Sequence, residues 1–158
     1  MIFVSVLSIV FLINQILKNK GVFMNGIDFE RINQVTKQII ACALDVHKNL
    51  GPGFLESVYE EALCIELDLS GIPYRRQLEI DVEYKGHLIK GQRLDLLVDD
   101  LVVVENKAVS EVLPIHKMIV MSYLKATQKR IGLLINYHEK LLKDGIHRIL
   151  LPENYVRA

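Results

Sequence analysis

The stretch that decides the fold reads GQRLDLLVDDLVVVENK over residues 91–107. It predicts two strands, Leu88–Val98 and Leu101–Lys107, hinged at Asp99-Asp100 because the two aspartates interrupt the apolar runs. Residues 101–104 are apolar at every position, so we expect both faces of the second strand to be buried. That strand therefore belongs near the centre of a sheet.

The register of this hairpin decides which polar groups meet. Arg93 and Asp95 share one face of the first strand, and Glu105 and Lys107 share one face of the second. A two-residue turn would pair Asp95 with Val104 and send Glu105 to the opposite face. A three-residue loop or a single bulge would pair Asp95 with Glu105. We therefore predict an irregular hairpin that brings the four polar groups together.

These acids and the lysine suit a divalent cation and an attacking water. Mg²⁺ prefers carboxylate oxygens, and a lysine beside a ligand can orient or deprotonate the water. Glu105 follows four apolar residues, and a buried carboxylate needs a partner or a metal. Two plainer interpretations stay open. Lys107 could be an exposed strand end, and Arg93 could form a structural ion pair rather than contact a phosphate.

Two helices are predicted before the strands. The first ends near Leu50, where Gly51-Pro52-Gly53 interrupts the pattern, and Gly71 ends the second. Glu56 opens the second helix, a place where the helix dipole alone favours an acid. The apolar positions of the first helix are Ile32, Val35, Ile39, Cys42 and Val46. The expected buried stripe of the second is Leu55, Val58, Ala62, Ile65 and Leu69.

The remaining segments complete an α/β pattern. Residues 78–84 alternate between apolar and acidic side chains, which predicts a half-buried strand, and residues 85–87 form a turn. Pro114 opens a third long helix, residues 130–137 form a second central strand, and residues 146–151 form a last strand. We therefore expect an α/β fold with a mixed central sheet flanked by helices.

Composition limits the partners. The chain has 19 Lys and Arg against 19 Asp and Glu, a net charge of +0. Because non-specific binding of long nucleic acid usually needs a basic excess, any such contact must come from a local patch. Cys42 and Cys64 fall in helical patterns, which indicates buried thiols in a reducing compartment rather than a zinc site.

The first 23 residues are apolar and allow two interpretations. The run from Met1 to Leu17 is marginal for a membrane span, and it lacks the flanks of a cleaved signal peptide. We favour Met24 as the true start, with residues 1–23 an upstream extension and 24–158 a cytoplasmic domain. The alternative is an inner-membrane anchor, with the domain kept in the cytoplasm by Lys18 and Lys20.

The segment Gly53-Phe54-Leu55-Glu56-Ser57-Val58-Tyr59 strongly resembles the motif of a bacterial family named after it, the GxxExxY proteins. The resemblance continues through residues 91–98 and 104–107, and then through residues 123–127 and 132–136. It covers Met24 to about Arg148. That family is similar to a compact branch of the PD-(D/E)xK nuclease superfamily.

The resemblance implies a restriction-endonuclease-like core in the order α-β-β-β-α-β. It implies that Asp95, Glu105 and Glu56 hold Mg²⁺ or Mn²⁺ and that Lys107 positions or activates the attacking water. The sequence also departs from the superfamily pattern. Ile119 stands where many members carry a glutamine, which removes a polar group near the expected site.

Two functions follow from these features. The first is a metal-dependent nuclease that hydrolyses phosphodiester bonds of DNA or RNA, with catalytic residues Glu56, Asp95, Glu105 and Lys107. We expect its phosphate contacts at Arg93 and Lys117. The second is a catalytically inactive module on the same fold that binds nucleic acid or protein. Small nucleases of this kind often act as dimers, so a homodimer stays open.

The geometry should discriminate between these functions. Convergence of the four catalytic candidates around a cavity with room for a cation favours the enzyme. A bidentate Lys107–Glu56 salt bridge with no cavity favours the module.

Overall fold

The computed structural model of the chain describes residues 23–24 and 27–155. The chain divides into two compact units, residues 1–34 and 35–158. In the first unit, β1 (Phe23–Met24) and β2 (Ile27–Asp28) form a two-stranded antiparallel sheet that precedes the start of α1 (Phe29–Leu50). Apart from Phe23, the predicted extension over residues 1–23 lies outside the described residues. In the part of the chain that is described, no helix is long and apolar enough to cross a membrane.

The second unit contains the sheet and the helices that flank it. Its order after α1 is α2 (Glu56–Leu69), β3 (Tyr74–Tyr84), β4 (His87–Val98), β5 (Val102–Lys107), α3 (Pro114–Thr127), β6 (Ile131–Asn136) and β7 (Ile146–Leu150). The strands lie side by side in the order β3-β4-β5-β6-β7. Only β5 and β6 run parallel, and every other neighbouring pair is antiparallel. The predicted mixed sheet and the α-β-β-β-α-β core order are confirmed.

The two strands predicted to be central are the most buried. Every residue of β6 is buried, as are the first five of β5. The helix α3 packs on the sheet through Val120, Tyr123 and Leu124, which share one core cluster with Leu97 and Val103. The apolar run that suggested a central position therefore reflects contacts on both faces of β5.

The predicted irregularity in the β4–β5 hairpin is confirmed. Val98 pairs with Val102, so three residues form the loop, and the amide of Leu101 donates to the carbonyl of Val98 at 3.0 Å. Asp99 and Asp100 both adopt left-handed backbone angles, with φ of 51° and 54°. Aspartate tolerates that conformation better than most residues, which suits it to this turn. The register then places Asp95 level with Glu105.

The predicted buried face of α2 is wrong, whereas that of α1 is confirmed. Every predicted position of α1 is buried, but Leu55 and Leu69 on α2 are 75% and 77% exposed. The helix instead buries Tyr59, Glu60, Leu63, Cys64 and Leu67. Both faces of α2 are apolar, so periodicity alone could not choose between them. Stacking of Tyr59 on Tyr137, with ring centroids 4.5 Å apart, holds the observed face against the core.

The outer part of the β3–β4 hairpin also differs from the prediction. Ile80 is buried as expected, but Tyr84 is 59% exposed and Val82 is only partly buried. The reason lies in the sheet, because β5 pairs only with residues 96–98 of β4. Beyond that point the two strands pair with each other alone, and their side chains have no third strand to pack against.

Candidate active site

The carboxylate of Asp95 lies where the β4–β5 ladder ends. Its Oδ2 accepts a hydrogen bond of 2.8 Å from the backbone amide of Asn106, and its Oδ1 accepts one of 3.4 Å from Nε2 of Gln77. Burial raises the pKa of Asp95, and the negative charges of Glu60 and Glu56 raise it further. The side chain is therefore fixed in direction and is partly desolvated.

Lys107 lies at the centre of the site. Its Nζ donates to Glu105 Oε1 at 2.7 Å, to Glu56 Oε1 at 3.2 Å and to the carbonyl of Asn106 at 2.9 Å. Its side chain is only 14% exposed, so the ion pairs are shielded from water. Burial alone would lower the pKa of Lys107, but the hydrogen bond and the charge of Glu105 outweigh burial, so the pKa is raised. The lysine is therefore a firmly protonated ammonium here.

Glu105 is the most constrained acid of the group. It is 5% exposed, and its Oε2 is buried without a hydrogen-bond partner in the described part of the chain. Burial raises its pKa from 4.5 to about 7, and the charge of Asp95 adds to the effect even though Lys107 opposes it. A carboxylate oxygen without a partner is costly to bury, so Glu105 is short of one positive or hydrogen-bonding neighbour.

The GxxExxY segment brings Glu56 to this group. Glu56 is the first residue of α2, and the loop before it is held by the Tyr59 hydroxyl. That hydroxyl donates to the Gly51 carbonyl at 2.6 Å and accepts from the Phe54 amide at 3.1 Å. Tyr59 is fully buried, so it anchors the helix start and does not face the site as a catalytic phenol. The motif thus fixes the point from which Glu56 reaches Lys107.

A second group of polar contacts beside Asp95 was not predicted from the sequence. Glu60 is 6% exposed, and its carboxylate accepts hydrogen bonds from Arg76 Nε at 2.5 Å and from Gln77 Nε2 at 2.8 Å. One signal was available, because Glu60 lies four residues after Glu56 and so shares its helix face. Nothing in the sequence indicated the roles of Arg76 and Gln77, since their contacts depend on how β3 packs under α2.

A cavity of about 750 Å³ opens beside Asp95. It is lined by Gln77, Glu79, Lys90, Gly91, Gln92, Arg93, Asp95, Ile119 and Tyr123. The predicted phosphate contact Arg93 is therefore next to Asp95. The other predicted contact, Lys117, does not line the cavity, and its charge acts instead on His147, whose pKa is lowered mainly by burial. Ile119 contributes an apolar wall where a glutamine was expected.

Two positive side chains line the cavity without forming a direct ion pair to any described residue, although Glu79 also lines it. Within the described residues, neither Lys90 nor Arg93 has a side-chain hydrogen bond or an ion pair. Arg75 and Lys129, by contrast, both pair with Asp100. Two unpaired cations beside a desolvated carboxylate form a surface suited to a phosphate group.

The carboxylates have the chemistry of a hard-cation site but are not arranged as a preformed one. Over residues 27–155, no group of three or more His, Cys, Asp or Glu side chains has the geometry to hold a metal ion. Lys107 lies between Glu56 and Glu105, and its contact with Glu56 is a single one, not bidentate. The unpartnered Oε2 of Glu105 and the weakly bonded Oδ1 of Asp95 are the carboxylate oxygens whose bonding capacity is least used, and Asp95 also lines the cavity.

The fold and the site together define a nuclease-like α/β protein. A family model described as the PD-(D/E)XK nuclease superfamily matches residues 33–149. The chain belongs to the PD-(D/E)XK nuclease superfamily.

Two solved structures are distantly similar, and no curated protein matches the sequence significantly. An alkaline exonuclease (LHK-Exo) from Laribacter hongkongensis is 13% identical, with a TM-score of 0.40 over 75% of this chain and 84% of that chain. The protein SSO0001 is 18% identical, with a TM-score of 0.40 over 85% of this chain and 84% of that chain.

Proposed function

We propose that this chain is a metal-dependent phosphodiesterase that acts on nucleic acid, in the GxxExxY branch of its superfamily. The observation that supports this most is the three-residue loop of the β4–β5 hairpin. That loop places Asp95 level with Glu105, and Lys107 then contacts both Glu105 and Glu56. Bringing three acids and one lysine together around a buried Glu105 and a partly buried Asp95 costs desolvation free energy, which favours a chemical role for the group.

Asp95, Glu105 and Glu56 are the residues that would hold Mg²⁺ or Mn²⁺. All three supply carboxylate oxygens, and Glu105 Oε2 has no partner within the described chain. Once bound, such an ion polarises a phosphoryl oxygen and lowers the pKa of a water. The raised pKa of Glu105 fits this role, because burial and the charge of Asp95 disfavour its charged form even with Lys107 beside it.

Lys107 is the proposed positioning group for the attacking water. An ammonium has three N–H donors, and all three are in use here. If Glu56 and Glu105 held a cation, Lys107 would have N–H donors free for a phosphate oxygen or a water. Its charge would then offset the negative charge that develops on the phosphoryl group.

The cavity beside Asp95 is the proposed place for the substrate backbone. Arg93 and Lys90 would contact phosphates there, since neither has an ion pair within the part of the chain that the structure describes. Lys117, which lies off the cavity wall, is proposed only as a contact to a more distant phosphate. The net charge of +0 is consistent with binding that is local and sensitive to salt.

We further propose that residues 24–158 form the functional domain and that it works in the cytoplasm. The family match over residues 33–149 supports the boundary, and two free buried thiols suit a reducing compartment.

A second candidate is an inactive module that binds nucleic acid or protein. Two observations favour it. Lys107 neutralises Glu56 and Glu105, and Ile119 replaces a polar side chain in the cavity wall. Such a module would keep the acids and the lysine as a structural ion-pair network.

Calorimetric titration of the full chain with Mn²⁺ separates the two candidates. We expect the wild type to bind, the Asp95→Ala and Glu105→Ala variants to lose binding while folded, and the matched control Asp81→Ala to bind normally. Asp81 is an exposed acid on the outer part of β3, away from the site. A folded wild type that binds no Mn²⁺, with or without an oligonucleotide present, would leave only the module.

A further inference from the structure

Gln77 has a backbone conformation that its place in the sheet does not explain. It lies inside β3, yet its φ is 50°, in the left-handed region that non-glycine residues seldom adopt. Such a conformation costs free energy and persists only when surrounding contacts hold it. The question is what that conformation achieves.

The ladder on either side of Gln77 stays in register. Arg76 pairs with Leu96 and Leu78 pairs with Leu94, so no residue has been inserted and Gln77 lies opposite Asp95. The irregularity is therefore a local rotation at one residue, not a bulge that shifts the strand.

The rotation changes where two consecutive side chains go. In a regular strand, Arg76 and Gln77 would point to opposite faces of the sheet. Here both reach the same carboxylate, because Arg76 Nε donates to Glu60 Oε1 at 2.5 Å and Gln77 Nε2 donates to Glu60 Oε2 at 2.8 Å. Gln77 lies opposite Asp95, so both side chains are on one face of the sheet, and the left-handed φ at Gln77 coincides with the reach of Arg76 to an acid that Gln77 also contacts.

The amide then connects two acids. Its Nε2 also lies 3.4 Å from Asp95 Oδ1, and the other oxygen of Asp95 is held by the Asn106 amide. Carboxylates only accept hydrogen bonds, so the NH₂ group, not the carbonyl of the amide, must face them. Gln77 therefore gives one donor to Glu60 and one to Asp95, and the plane of the Asp95 carboxylate is fixed from both sides.

We propose that Gln77 is a positioning residue for the cation site: Glu60, itself held by Arg76, fixes the amide, and the amide fixes Asp95 Oδ1. This inference rests on the proposed function, since it assigns Asp95 to a cation. Gln77 itself is not a ligand. Groups that orient a metal ligand typically change metal affinity by about 10- to 100-fold when they are removed.

The test is the Gln77→Gly variant of the full chain, measured by Mn²⁺ calorimetry and by thermal unfolding without metal. Glycine adopts a positive φ freely, so the substitution removes the amide and relieves the backbone at once. We expect Mn²⁺ affinity to fall by roughly tenfold or more while the melting temperature changes little, because the backbone relief offsets the lost hydrogen bond to Glu60. A residue that only stabilises the fold would lower the melting temperature and leave the Mn²⁺ affinity of the folded protein unchanged.

Two further variants separate the backbone from the amide. Gln77→Asn keeps a residue that tolerates the left-handed region but shortens the side chain by one methylene, so it should lose Mn²⁺ affinity as the glycine variant does. Lys85→Gly is the matched control, because Lys85 has a φ of 51° in the exposed turn after β3. The Lys85→Gly substitution should relieve the strain of a positive φ in the same way and leave Mn²⁺ affinity unchanged.

The possible results are distinct. Wild-type Mn²⁺ affinity in Gln77→Gly, or a large loss of melting temperature alongside the loss of affinity, would overturn the role of Gln77 and leave the proposed function standing. Failure of the wild type to bind Mn²⁺ at all would overturn the proposed function, and this inference with it.

Discussion

Replacing Glu105 with glutamine should make the metal-free protein more stable above neutral pH. The pKa of Glu105 rises from 4.5 in the unfolded chain to about 7 in the folded one, mainly because of burial. Between these values the folded state binds more protons than the unfolded state, so the free energy of unfolding falls as pH rises. At 1.36 kcal/mol per pKa unit, the loss approaches about 3 kcal/mol by pH 8.

Glutamine removes this titration and keeps the shape of the side chain. We therefore expect urea unfolding in EDTA to show that the free energy of unfolding of Glu105→Gln increases relative to that of the wild type as pH is raised from 5 to 8. Comparing the two proteins at each pH cancels groups common to both, such as His147, whose lowered pKa acts in the opposite direction. Glu111→Gln, at an exposed position, is the control, and its stability should depend on pH as that of the wild type does.

Adding Mn²⁺ should cancel most of this difference in stability. At a concentration 100 times its dissociation constant, a ligand that binds only the folded state adds about 2.7 kcal/mol. The wild type should gain this amount at pH 8, and Glu105→Gln should not. The reasoning is refuted if the wild type in EDTA keeps constant stability relative to Glu105→Gln from pH 5 to 8, or if the variant is the less stable protein at pH 8.

Three further predictions test other parts of the structure. Tyr59→Phe should cost about 1–3 kcal/mol in urea unfolding and leave Mn²⁺ affinity intact, because it frees the Gly51 carbonyl without touching the acids. Gly132→Ala should destabilise the fold by about 1–3 kcal/mol in the same assay, since its Cβ would lie 2.5 Å from Val120 Cγ1; a neutral result would show that α3 can shift. Arg93→Ala should weaken oligonucleotide binding in a polarisation assay and reduce the salt slope by about one, and an unchanged slope would remove this residue from the phosphate contacts.

The β4–β5 hairpin could be predicted from the sequence because the period of a strand is two. Asp95 and Glu105 lie on one face only if the loop has an odd number of residues or a strand has a bulge. The structure has a three-residue loop. The central positions of β5 and β6 followed from their unbroken apolar runs. These features depend on neighbouring residues alone, so local pattern was enough.

The features that could not be predicted depend on contacts distant in sequence. The buried face of α2 is set by Tyr59 against Tyr137, residues far apart along the chain, while the helix itself is apolar on both sides. The place of Glu56 beside the other acids was expected only from family resemblance, because no local pattern joins a helix start to a strand end. The left-handed Gln77 has no sequence signal, since glutamine has no preference for that conformation.

The most direct test of the central claim is cleavage of end-labelled single- and double-stranded DNA and RNA by the full chain with Mn²⁺, beside Lys107→Met. Lys107 is the proposed group that positions the water, so the account predicts metal-dependent cleavage by the wild type and none by the variant. The variant should still bind Mn²⁺ by calorimetry, because the carboxylates remain. Equal cleavage by both proteins, or no cleavage of any substrate by a wild type that binds Mn²⁺, would contradict the account.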